Sequence, residues 1–276
     1  MRSILLHIYE DECFEARFQV ALDVARQCNG RITCAQAVPY DFGVPHDFYG
    51  TMSAEMIVEY QKVANEAREE IERDLENEGV SWSWARSNGC ATGLIGRKAP
   101  LHDVVVVGAH DPLELPHSPS RFVGELTERV RAPIIAVPPD SRGLDLESPV
   151  VVAWNGAPES AHALRAAVPA LSRASEVHIL SVSEPKKKKK REATSELPSL
   201  TPAAYLALHD IKSEVAELKR VKGKSIAETL MVGAMARDAG YIVMGAYGHS
   251  RFRESVLGGV TRDMLCDPLL PLFLAH

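Results

Sequence analysis

Tyr241-Ile242-Val243-Met244-Gly245-Ala246-Tyr247-Gly248 is a short apolar run that breaks on glycine, and nine residues later Gly258-Gly259-Val260-Thr261 opens a further segment with helical character. A strand, a glycine-punctuated loop and a helix start can together hold phosphates. Glycines let the backbone approach the anion, and the free N–H groups of the helix start point at it. The terminal apolar run Leu270 to Leu274 closes this stretch. The strand has a close match earlier in the chain, Asp103-Val104-Val105-Val106-Val107-Gly108-Ala109.

Working outward from these two strands, the chain repeats one plan at half length. The first half opens with Ile4 to Ile8 and an amphipathic helix over Glu12 to Cys28; the second opens with Val150 to Trp154 and a helix over Pro158 to Arg173. Pro158 suits a first helical turn, where a missing N–H costs nothing. Second strands are expected at Arg31 to Val38 and Glu176 to Ser183, and third strands at Ser81 to Arg86 and Glu214 to Val221. Between them lies a helical stretch that is long in the first half (Ala54 to Glu78) and short in the second (Pro202 to Leu208). Ser225 and Glu228 form a capping box for the helix before the fourth strand; its counterpart, Thr92 to Lys98, is shorter. Terminal strands follow at Pro133 to Val137 and Pro271 to Ala275, and Pro138 to Ser148 reads as a linker. Strands that alternate with helices, several of them apolar throughout, indicate parallel sheets covered on both faces.

This order, with the spacing G-x-x-G-x9-G followed by Gly-Val-Thr, resembles a tandem member of the universal stress protein family. The resemblance implies an α/β fold of two tandem Rossmann-like domains, residues 1–140 and 148–276, each a five-stranded parallel sheet flanked by helices. It implies ligand binding at the carboxyl ends of the strands, and pairing of the halves through their terminal strands. In members that bind ATP, an Asp ends the first strand, the backbone at the end of the second strand reads adenine, and the glycine loop holds ribose and phosphates. Carried onto the second half, these positions are Asn155, Val182, Gly245, Gly248, Gly258, Gly259, Val260 and Thr261. Ser250 and Arg251 are added as phosphate contacts, and His249 and Arg253 are read as ordinary loop residues. The expected ligand is ATP or another adenine nucleotide, with magnesium only in its company.

Two residues depart from the family pattern. Asn155 is a poorer acceptor than a carboxylate, and Gly259 lacks the hydroxyl that ATP-binding members carry there. A scaffold of the same fold with closed clefts therefore stays open beside the nucleotide reading. The first half departs further. Tyr9 or Glu10 stands near the first-strand position, Asp111 replaces the second loop glycine, prolines follow at 112, 116 and 119, and only Gly124-Glu125-Leu126-Thr127 matches the loop's end. A carboxylate there repels phosphate, and proline removes N–H donors.

Other motifs carry less. Gly223-Lys224-Ser225 resembles the end of a P-loop, but its first glycine would fall at Leu218, and the cap accounts for Ser225. No Ser, Cys or carboxylate stands with His249 as a catalytic set. A Ser-Gly-Gly-x-Asp-Ser-like loop of adenylylating enzymes is absent at Asn155-Gly156-Ala157-Pro158, and no feature requires flavin. No catalytic residue and no dedicated enzyme activity are expected; the resemblance leaves slow ATP hydrolysis open, although the sequence supplies no evident base for it. His110 and His117, with Asp111 and Glu114, have no fixed metal-ligand spacing and are read as solvent-facing. The basic block Lys186 to Arg191 reads as a solvated loop.

Composition sets the frame. The 276 residues, 46% hydrophobic and 25% charged, suit two globular domains, and a net charge of −6 speaks against nucleic-acid binding. Met1-Arg2 leads directly into a strand-length segment, no apolar run approaches membrane-spanning length, and five scattered cysteines contain no C-x-x-C. The expectations are a cytoplasmic location, free thiols, no membrane, and a homodimer as an open arrangement.

Overall fold

The computed structural model describes residues 1–38, 50–111, 118–183, 201–246 and 259–276, without the side chains of 50–57. The first half runs β1 (Ser3–Ile8), α1 (Phe14–Cys28), β2 (Arg31–Val38), α2 (Gly50–Asn77), β3 (Ser81–Asn88), α3 (Ala91–Lys98), β4 (Val104–Gly108), α4 (Arg121–Arg129) and β5 (Ile134–Val137). The second runs β6 (Val150–Ala153), α5 (Pro158–Leu171), β7 (Val177–Ser183), α6 (Pro202–Ala207), β8 (Glu214–Lys219), α7 (Ile226–Met235), β9 (Tyr241–Gly245), α8 (Gly259–Cys266) and β10 (Leu272–Ala275).

All the strands join one sheet in the order β3-β2-β1-β4-β5-β10-β9-β6-β7-β8. Each half is parallel within itself, and β5 meets β10 antiparallel, with Ile135 opposite Phe273. The expected pairing of the halves is thus present. It removes two apolar edges that separate sheets would leave open.

Alternation along the strands assigns side chains to the two faces. Ile4, Leu6, Val104 and Val106 join α1, α2, α5 and α6 in one core; Leu5, Val105 and Val107 join α3, α4, α7 and α8 in the other. Each core contains residues of both halves.

Local signals explain the helix starts. Pro158 is at the first turn of α5, and Ser225 and Glu228 close the capping box on α7. The segment read as a linker is instead bound to α1. Leu144 N–H donates to Asp23, Gln27 Nε2 donates to the Leu144 carbonyl at 2.7 Å, and Leu146 N–H donates to Gln27 Oε1 at 2.8 Å. Leu144 and Leu146 are buried. Gly143 makes the turn at φ +142°, where a Cβ would collide with the Asp23 carboxylate. Polar turn residues concealed this role in the sequence, because the anchoring groups lie on a distant helix.

Candidate functional site

In each half the chain builds outward from its first strand, β1 or β6, on one side, then returns to build on the other. The switch points lie between β1 and β4 and between β6 and β9. In open parallel sheets, ligands enter the crevice beyond the carboxyl ends at such points.

At the second switch point, Asn155 is exposed just past β6. Its Oδ1 accepts from Ala157 N–H at 3.0 Å, an Asx turn leading into α5. The amide NH2 is the group left to meet a ligand, so Asn155 presents a donor where the expected Asp would present a second acceptor. Val182 lies near the end of β7. Trp154 N–H donates to the Leu180 carbonyl, so Leu180 directs its backbone groups towards β6. In a parallel ladder, residues two apart face the same neighbour. Val182 therefore directs its N–H and C=O past the end of β6, which pairs only as far as Ala153 with Leu180.

Gly245 ends β9 against the first turn of α5. A Cβ there would meet the Glu159 carbonyl group and, at 2.6 Å, the Ser160 nitrogen. Glycine at this position answers a packing demand between strand and helix. Gly259 begins α8 and is exposed, and among the described residues nothing beyond its own helix and chain neighbours lies within 4 Å of a Cβ built on it. Val260 is half-buried, and Thr261 is buried on the packed face of α8 with Met264 and Leu265. Gly248, Ser250, Arg251 and Gly258 lie outside the described residues, as do His249, Arg253, Glu114, His117, the prolines at 112 and 116, and Lys186 to Arg191.

The first switch point is filled by the chain's own charges. Asp11, three residues before α1 as Asn155 is before α5, makes the matching Asx turn to Cys13 N–H at 2.8 Å. It is the counterpart of Asn155, in place of the expected Tyr9 or Glu10. The connection from β1 to α1 is longer, so counting from the strand end stops short. Asp11 is paired with Arg17, a fully buried guanidinium that also donates to the carbonyls of His7 (2.9 Å) and Tyr9. The residue six beyond Asn155 is Ala161, which supplies no such cation.

Asp111 does more than repel an anion. Its carboxylate accepts from Arg121 N–H (2.7 Å), Phe122 N–H (3.1 Å) and the Ser120 hydroxyl, while Ser120 Oγ accepts from Val123 N–H. The carboxylate thus stands where a phosphate would sit at a helix N-terminus. Gly124, expected at a loop end, lies inside α4 because this cap starts the helix earlier. Beneath this site the His7 ring packs on Phe122 at 4.7 Å, and burial, with Arg17 nearby, lowers its pKa from 6.5 to about 3.

Asp11, Arg17 and the capping role of Asp111 were missed at sequence level. Usable signals existed: an acidic residue three before a helix, a lone Arg on the apolar face of α1, and Ser120 at a helix start. None states which charge meets which.

Residues 148–265 match the model of the Universal stress protein family. A universal stress protein from Archaeoglobus fulgidus DSM 4304 has a similar structure, with TM-score 0.74 at 16% identity, 99% of this chain and 97% of that one being covered. A protein from Pseudomonas aeruginosa UCBPP-PA14 described as a universal stress protein gives TM-score 0.63 at 14% identity, covering 99% and 92%. A protein of unknown function from Pseudomonas aeruginosa PAO1 gives 0.61 at 15%, covering 99% and 92%. These likenesses show the two-half fold of the whole chain. No curated protein matches the sequence. Among the described residues no helix is long and apolar enough to cross a membrane.

Proposed function

We propose, proceeding from residues 148–265 as a universal stress protein domain, that this half binds one adenine nucleotide, ATP or ADP, in the crevice between β6 and β9. The observation that carries the reading is the contrast between the two helix N-termini. The start of α4 is occupied by Asp111, whereas Gly259 and Val260 begin α8 with space beside Gly259 among the described residues. Phosphates would meet the N–H groups of α8, the Val182 backbone would read the base edge, and the Asn155 amide would donate to a ribose hydroxyl. Magnesium enters only with the ATP phosphates. Asn155, Val182, Gly259 and Val260 bring no general base, so the role is ligand-gated stress response in the cytoplasm rather than dedicated catalysis. A scaffold of the same fold is the alternative, favoured by Asn155, whose only acceptor oxygen already serves Ala157.

Calorimetric titration with ATP tests this, using wild type, Gly259→Ser, Asn155→Asp and the double variant. Wild type is expected to show one site per chain. One added hydrogen bond to a charged phosphate is worth about 1.5–3 kcal/mol, so Gly259→Ser should tighten ATP about tenfold or more. Two equal sites per chain would contradict the asymmetry. No heat even from the double variant would overturn nucleotide binding.

A further inference from the structure

We propose that Glu12, Cys13 and His110, at the first switch point, form a site for a borderline divalent transition metal of the zinc class. The ligand atoms of the three side chains lie within 4.8 Å of one another. Glu12 and Cys13 come from the connection between β1 and α1, and His110 comes from the one after β4, so an ion here would tie the two crevice loops together. Glu12 Oε1 is 2.9 Å from His110 Nδ1, while His110 Nε2 is shielded from solvent and has no hydrogen-bond partner among the described residues. Cys13 is fully buried at the start of α1 and makes no side-chain capping bond there. The Cys13 thiol turns towards the backbone of Ala109 and His110, so it lies beside an imidazole nitrogen that has no partner among the described residues, an arrangement that metal coordination would satisfy.

The donor set selects the ion. Thiolate, imidazole and carboxylate suit zinc, cobalt or nickel, and a sulfur ligand excludes magnesium and calcium. Atoms bound to one tetrahedral zinc stand about 3.3–3.8 Å apart by the usual ligand distances, so the trio has to contract by side-chain rotation. The exposed Glu12 and half-buried His110 leave the solvent side open for entry and for a water as fourth ligand. Charge favours a cation, since Arg17 is already paired with Asp11, and Glu12 and the Asp111 that follows His110 add two further carboxylates. Cys13 would bind as the thiolate, its proton passing to solvent.

The test is titration of the full-length, reduced protein with Zn²⁺ by calorimetry, and with Co²⁺ by absorption spectroscopy. Wild type should take one Zn²⁺ per chain with a rise in melting temperature, and Co²⁺ should give a thiolate-to-cobalt charge-transfer band. Cys13→Ser should remove that band. His110→Gln and Glu12→Gln, at more exposed positions, should weaken Zn²⁺ by at least about tenfold, a loss that even groups one step removed from a metal produce. If Cys13→Ser does not fold, these two variants and the wild-type Co²⁺ spectrum decide the matter. Absence of stoichiometric Zn²⁺ binding, or unchanged binding in His110→Gln and Glu12→Gln, would overturn the proposal.

Discussion

At the scale of single residues, Asp111 and His7 each make the first crevice depend on a charge state. Asp111 caps α4 by accepting two backbone N–H groups, so Asp111→Ala should cost about 0.5–2 kcal/mol of stability in denaturant unfolding. The freed N–H groups would then attract an external anion. Millimolar phosphate should raise the melting temperature of Asp111→Ala more than that of wild type; equal shifts would show that the carboxylate does not hold an anion position. His7 follows linkage. Its folded pKa of about 3 lies below the ordinary 6.5, so the unfolded chain binds the extra proton. Stability is full above pH 6.5 and is lost as pH falls towards 3. From pH 6.5 to about pH 5, above most carboxylate titration, the loss should be about 2 kcal/mol. His7→Phe should flatten the stability profile in that window. An unchanged slope would mean that His7 is not held neutral.

At the scale of elements, Gly245 and Gly259 belong to the same glycine pattern yet answer different demands. Gly245 lets the first turn of α5 touch β9, so Gly245→Ala should destabilise by about 1–3 kcal/mol. Gly259→Ala, at a helix start that no other described element crowds, should change stability by no more than about 0.5 kcal/mol. Similar losses at both positions would remove the distinction. This pair also shows what was legible in the sequence. Element types and order followed from periodicity, proline at the start of α5 and the Ser225 cap, because those signals are local. Strand pairing across the middle came from the family resemblance; the two terminal strands themselves showed only apolar edges in need of a partner. The roles of Gly143, Arg17 and Asp111 were not, because each is set by a partner on another element: Asp23, Asp11 and the start of α4.

At the scale of the molecule, the antiparallel contact of β5 with β10 lets one chain act as a pair. Each core runs through both halves, so thermal unfolding is expected as a single transition rather than two. The same contact predicts what happens when the chain is divided. In residues 148–276 expressed alone, β10 would be an edge: Leu272, Phe273 and Leu274 would lose their partners Ala136, Ile135 and Ile134. An apolar edge with unpaired N–H and C=O groups recruits another strand. Antiparallel pairing of β10 with a second β10 preserves two-fold symmetry, and closed two-fold dimers are the commonest solution. The fragment should therefore sediment as a dimer, and Phe273→Asp should turn that dimer into monomer by placing a charge at the pairing centre. If the folded fragment is monomeric at tens of micromolar, edge pairing is not what joins the halves. Their association would then rest on other contacts, such as the buried Leu144 and Leu146 of the strap on α1.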